Sequence, residues 1–120
     1  MKKLLLMATM FFMFGAAKAQ IADVQQKGNY LYVYGENNKK ISELMLGSSD
    51  LFLGIGSSFF AVKKGNYVYT YDYNSKKIAE LMLNSSDTFK SATGNSFNIQ
   101  KGSYVYTYDK NCKKLSERRL

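Results

Sequence analysis

Histidine, proline and tryptophan are absent from this 120-residue sequence, and cysteine occurs once. Without histidine there is no Ser-His or Cys-His couple and no histidine-ligated metal. A single cysteine has no partner for an internal disulfide, so stability has to come from packing. With tryptophan missing, the aromatic surface rests on ten tyrosines and eight phenylalanines. A long apolar run is missing too. Leu4 to Phe14 is interrupted only by Thr9 and is too short to cross a bilayer comfortably, and no later segment is apolar enough to span.

That short run has a different reading. Met1-Lys2-Lys3 gives it a basic start, and Ala17-Lys18-Ala19 supplies the small-x-small pattern of a signal-peptidase site. The sequence therefore predicts a secretory signal over residues 1–19, cut before Gln20. No cysteine lies near the cut to carry a lipid. The expectation is an exported protein, periplasmic or extracellular, with no integral membrane span. Residues 20–120 suit one small domain. Loss of Lys2, Lys3 and Lys18 lowers the formal charge from +8 to +5, a moderate excess that favours anionic partners only weakly.

What the chain does contain is repetition at a spacing of 37 residues. Lys27-Gly28-Asn29-Tyr30 returns as Lys64-Gly65-Asn66-Tyr67 and as Lys101-Gly102-Ser103-Tyr104. Tyr30-Leu31-Tyr32-Val33-Tyr34 returns as Tyr67-Val68-Tyr69-Thr70-Tyr71 and Tyr104-Val105-Tyr106-Thr107-Tyr108. Ile41-Ser42-Glu43-Leu44 becomes Ile78-Ala79-Glu80-Leu81 and Leu115-Ser116-Glu117-Arg118, and Ser48-Ser49-Asp50 becomes Ser85-Ser86-Asp87. The repeats run over about 20–56, 57–93 and 94–120.

Alternation of aromatic with β-branched or aliphatic residues marks the tyrosine segments as strands. Lys64-Gly65 is a two-residue turn candidate, and Asn74-Ser75 is another, equivalent to Asn37-Asn38 and Asn111-Cys112. Each repeat reads as strand, turn, tyrosine strand, turn, third strand. The connector that follows has room for a short fourth strand, at Leu51 to Ile55 and at Thr88 to Ala92. On this register Val62 pairs with Tyr67 and Phe60 with Tyr69, while Tyr71, Tyr69 and Tyr67 pair with Ile78, Glu80 and Met82. These residues make one tyrosine face. Phe59, Ala61, Val68, Thr70, Ala79, Leu81 and Leu83 make the other. Both faces of the middle repeat are apolar, which predicts a neighbour on each side. The outer repeats each surrender one face. Asp23 and Gln25 stand on the first repeat's tyrosine face, and Ser96, Asn98, Ser116 and Arg118 stand on the third repeat's opposite face, as capping repeats require. Arg118 and Arg119 also put charge on the last strand, which blunts edge-to-edge pairing.

The run Phe60-Ala61-Val62-Lys63-Lys64-Gly65-Asn66-Tyr67-Val68-Tyr69-Thr70-Tyr71-Asp72, followed by Lys76-Lys77-Ile78, resembles a β-propeller blade of the PQQ or NHL type. The resemblance implies an all-β fold of three tandem antiparallel β-meander repeats stacked like propeller blades. Three blades are too few for an ordinary closed ring, so the array is expected to be open. The alternative is a β-trefoil, which three repeats close once around.

Candidate chemistry is sparse. Glu43, Glu80 and Glu117 recur on the tyrosine face, where each can meet a tyrosine hydroxyl or a neighbouring lysine; as acid–base groups they would have to converge, and three equivalent places keep them apart. Asp72 with Lys77 and Asp109 with Lys114 read as cross-strand ion pairs. Asp50 and Asp87 lie in loops without the dense acidic spacing of calcium sites, so turn chemistry is expected there. Cys112 reads as an exposed turn residue, with an intermolecular disulfide as the other reading. Paired lysines (Lys39-Lys40, Lys63-Lys64, Lys76-Lys77, Lys113-Lys114) do not make a nucleic-acid surface, because neighbours on a strand point to opposite faces and export removes the chain from most nucleic acid. No catalytic residue, metal ligand or cofactor is expected. The candidate binding residues are Tyr30, Tyr32, Tyr34, Ile41 and Met45, a tyrosine face that an open stack leaves uncovered, rimmed by Asp23, Gln25 and Glu43. The expected function is that of a non-enzymatic extracytoplasmic binding module for a protein or envelope glycan, or for its own copies. A structural or assembly component of the envelope is the alternative, and a glutamate-dependent hydrolase is the remaining one.

Overall fold

The computed structural model describes residues 20–120; the predicted signal segment lies outside them. The strands are β1 (Asp23–Lys27), β2 (Tyr30–Tyr34), β3 (Lys40–Met45), β4 (Leu51–Ile55), β5 (Phe60–Lys64), β6 (Tyr67–Tyr71), β7 (Lys77–Met82), β8 (Thr88–Thr93), β9 (Ser96–Lys101), β10 (Tyr104–Asp109) and β11 (Lys114–Arg119). They form three antiparallel sheets, ordered β1-β2-β3, β4-β5-β6-β7 and β8-β9-β10-β11. Among the described residues there is no α-helix, only a single 3₁₀ turn at Glu36–Asn38. Each sheet keeps two free edges, so the strands do not close into a barrel, and the trefoil alternative is not the arrangement seen. The short connector strands β4 and β8 belong to the sheet that follows them, so the sheets run over 51–82 and 88–119 and not over the sequence repeats.

The hairpins explain the register. Gly28, Gly65 and Gly102 take φ of +61°, +64° and +61°, a left-handed conformation that a β-carbon would strain. The turn is therefore Gly65-Asn66, one residue later than Lys64-Gly65. Lys64 pairs with Tyr67, Val62 with Tyr69 and Phe60 with Tyr71, which corrects the expected partners by two residues. A slip of two preserves the faces, because side chains alternate with period two. On the far side Tyr69–Glu80 and Tyr67–Met82 pair as expected, but Tyr71 meets Lys77 and not Ile78. A bulge between Thr70 and Tyr71 causes the difference, and the same irregularity recurs between Val33 and Tyr34 and between Thr107 and Tyr108.

Two cores separate the three sheets. The first joins Val24, Leu31, Val33 and Leu46 of sheet one and its flanks to Phe60, Val62 and Tyr71 of sheet two, with Ile21 tucked in from the N-terminal side. The second joins Phe59, Ala61, Val68 and Leu83, on sheet two's opposite face, to Phe97, Ile99 and Tyr108 of sheet three. Phe59, Phe60, Ala61, Val62 and Val68 are all fully buried, so sheet two is covered on both faces. Burial raises the Tyr71 phenol to about 12. In the second core Phe97 stacks between Phe89 and Tyr108, at 5.8 and 5.6 Å between ring centres.

Hydrogen bonds stitch the sheets at their turns. Ser42 donates to the carbonyl of Tyr73 at 2.7 Å, and Thr70, the sole buried polar residue among those described, donates to the carbonyl of Lys110 at 2.7 Å. The backbone amide of Ile21 donates to Ser57 and that of Ser57 to Gly94, linking each sheet's entry to the next. The last sheet's outer face satisfies itself: Thr107 donates to Asn98, whose amide donates to Ser91. Those contacts pair the polar side chains on this face with one another.

Candidate functional site

Sheets two and three bury the inner part of their tyrosine faces, and the outer part stays open in all three sheets, with Tyr30 and Tyr104 at 38% and 39% exposure. At Phe60, Val62, Phe97 and Ile99 the accessible surface falls to zero, and their counterparts in sheet one are Asp23 and Gln25. Those polar residues bond to each other, the Gln25 amide donating to the Asp23 carboxylate at 3.1 Å. Alternation on β2 sends Leu31 and Val33 into the core and Tyr30, Tyr32 and Tyr34 outward. The opposite strand brings Met45 beside Tyr30 and Glu43 beside Tyr32. Tyr30 and Met45 are exposed, Met45 to 62%, and Tyr32 and Tyr34 are half-buried; Ile41 is exposed too, but the bulge pairs Tyr34 with Lys40 and leaves Ile41 beside Gly35, out of the expected pairing. Among the described residues no element covers this surface.

Tyr32 lies at its centre. Lys40 and Lys27 hold their ammonium groups 4.6 and 5.5 Å from the ring centre. Both lysines add to the patch expected from the sequence, because Lys27 closes β1 and Lys40 opens β3 on either side of the tyrosine strand. Lys40 also donates to Glu43 at 2.8 Å, which holds its ammonium above the ordinary lysine range. Tyr69 and Tyr106 carry the same arrangement, with Lys77 bonded to Glu80 and Lys114 to Glu117 at 2.5 Å. Each recurrent glutamate is thus engaged by a lysine three residues earlier and meets that lysine, not the tyrosine hydroxyl.

Two further expectations change. Asp72 and Asp109 do not pair with Lys77 and Lys114. The Asp72 carboxylate accepts the backbone amides of Asn74 and Lys76, and Asp109 accepts those of Asn111 and Lys113, so both order turns whose left-handed residues are Ser75 and Cys112. In the first sheet Gly35 stands where these aspartates would be, and Asn37 and Asn38 both turn left-handed. Cys112 is half-buried against the second core, not exposed, and burial pushes its thiol up to about 11. Asp50 and Asp87 serve turns as expected, accepting the amides of Gly47 and Asn84. Among the described residues no group of three or more acidic or cysteine side chains converges as a metal site would require.

No family model matches the chain, and no curated protein matches it. A solved structure does: a protein of unknown function from Bacteroides caccae, with a TM-score of 0.55 at 8% identity over 82% of this chain. The chain spans 39% of that protein's length. At this identity the likeness shows the fold alone: an all-β chain of antiparallel sheets.

Proposed function

We propose that this chain is a non-enzymatic binding module, acting outside the cytoplasm, that presents the tyrosine face of its first sheet to a protein or an envelope glycan. One observation carries the reading: Phe60, Val62 and Tyr71, and likewise Phe97, Ile99 and Tyr108, are closed under a neighbouring sheet, whereas their counterparts Asp23, Gln25 and Tyr34 have no such cover among the described residues, and Tyr30, Tyr32 and Met45 continue the same face. On this reading the three sheets are blade-like and form an open array, capped by polar residues at one end and aromatic at the other. The aromatic surface offers flat contact area with few rotatable bonds. Asp23, Gln25 and Lys27 at its rim supply hydrogen-bonding groups of both kinds.

Replacing Tyr32 with serine tests it. The variant keeps its fold, because the ring packs outside both cores, and it loses partners retained from an envelope fraction by the unmodified protein. Equal retention by a folded Tyr32→Ser variant would contradict the assignment. Loss of a concentration-dependent oligomer, with no change in retained partners, would move the reading to self-assembly.

A further inference from the structure

Sheets two and three are each completed by a strand that arrives from the connector. β4 pairs antiparallel with β5, and β8 with β9. An aspartate immediately precedes each arriving strand, and the lysine that ends the receiving strand grips it. Lys64 donates to Asp50 at 2.6 Å, and Lys101 donates to Asp87 at 2.7 Å. The incoming strand is therefore held twice, by a backbone ladder and by a charge-assisted hydrogen bond.

Sheet one has the receiving strand and the lysine without the arrival. Among the described residues β1 is paired on one side only, with β2. Lys27 ends β1 and sits 5.5 Å above Tyr32, in the place that Lys64 and Lys101 take 5.8 and 5.7 Å above Tyr69 and Tyr106. Yet it meets no carboxylate among the described residues, and residues 1–19 contain no aspartate or glutamate to offer it. Beside β1, β4 holds Phe52 and Ile55 half-buried against the first core. The corresponding side chains of β8, Phe89 and Ala92, are covered by β4 at Gly54, where an added β-carbon would lie 3.4 and 3.5 Å from them.

We propose that β1 receives an extended segment of another protein, added antiparallel as a fourth strand, with an acidic residue one position ahead of it gripped by Lys27. Transposing the pairing of Gly54 with Ala61 by one repeat puts a small guest residue opposite Val24 and over Phe52 and Ile55. A second copy of this chain is not the donor, since both of its aspartate-led strands are already paired within their own sheets. Asp23 opposes entry: its carboxylate accepts the Val24 amide at 2.9 Å, and the guest must displace it. This docking edge adjoins the aromatic face proposed above and shares Asp23 and Lys27 with its rim, but it binds through the β1 backbone and not through the tyrosine rings.

A labelled peptide with the sequence of residues 47–56, added to the purified protein and followed by fluorescence anisotropy, provides the test, with the N-terminus of the protein read by mass spectrometry. Saturable binding at one peptide per chain is expected. Lys27→Gln in the protein and Asp50→Asn in the peptide each weaken it about tenfold, the loss of one charge-assisted bond, and together no further. Asp23→Ala strengthens it, and melting curves show that both protein variants are folded. Absence of saturable binding, or binding indifferent to both Lys27→Gln and Asp50→Asn, overturns the proposal. Retention of an acidic oligosaccharide through Lys27 with no uptake of peptide overturns it equally.

Discussion

Truncating Phe97 to alanine removes the centre of the second core. The ring is fully buried and lies between Phe89 and Tyr108, with Phe59 of sheet two 6.1 Å away between ring centres. A phenylalanine in such a site costs about 3–5 kcal/mol on truncation, from lost transfer energy and from the cavity left behind. Domains of this size hold only about 5–15 kcal/mol in total. The expected fall in melting temperature is therefore more than about 12 °C, at roughly 4 °C or more per kcal/mol. Tyr104→Ala is the matched control, because Tyr104 is 39% exposed on the same sheet and should cost less than about 1 kcal/mol. Thermal and urea unfolding followed by circular dichroism measures both. If Phe97→Ala costs no more than Tyr104→Ala, sheet three is not packed on sheet two as described.

Three other outcomes follow from the same contacts. Cys112, half-buried and with its thiol raised to about 11, reacts slowly with a thiol reagent at pH 8 in the folded protein and rapidly in denaturant; the stability linked to it is complete below the unfolded thiol value of about 8.5 and is lost as pH rises toward 11. For Asp87, burial works against ionisation, but the hydrogen bonds from Lys101 and the Asn84 amide outweigh it and lower the carboxyl. Its contribution is therefore present above the unfolded value of about 3.9 and lost as pH falls through the lower folded one. Asp87→Asn should flatten the acid limb of a plot of melting temperature against pH. Mass spectrometry of the exported protein should find Gln20 at the N-terminus; a retained Met1 would remove the export reading.

The face assignments could be read from the sequence even where the register could not. Moving the turn from Lys64-Gly65 to Gly65-Asn66 shifts every partner by two, and a shift of two leaves Phe60, Val62 and Tyr69 on one side. Apolar alternation therefore carried the burial of sheet two without the correct pairs. The bulges before Tyr71 and Tyr108 were not legible, because they adjoin turns whose aspartates bond backbone amides instead of lysines; the same bulge recurs before Tyr34, where Gly35 replaces the aspartate. Asp72 next to Lys76-Lys77 looks like an ion pair on charge alone, and the choice of an amide is set by the left-handed Ser75. Cys112 seemed exposed because its counterparts are polar; the bulge and the adjacent second core turn it inward. Of the aromatic site, Tyr30, Tyr32, Tyr34 and Met45 follow from alternation, Ile41 is displaced by the bulge that pairs Tyr34 with Lys40, and the lysines over Tyr32 depend on where β1 ends and β3 begins.

Selective nitration of the tyrosines, mapped by mass spectrometry on dilute folded protein, tests the central claim most directly: that one tyrosine face is open and its counterparts are closed. The open face predicts that half-buried Tyr34 is modified well before its counterparts Tyr71 and Tyr108, which at 6% and 7% exposure stay protected until unfolding. Modification of Tyr71 and Tyr108 at the rate of Tyr34 would contradict it.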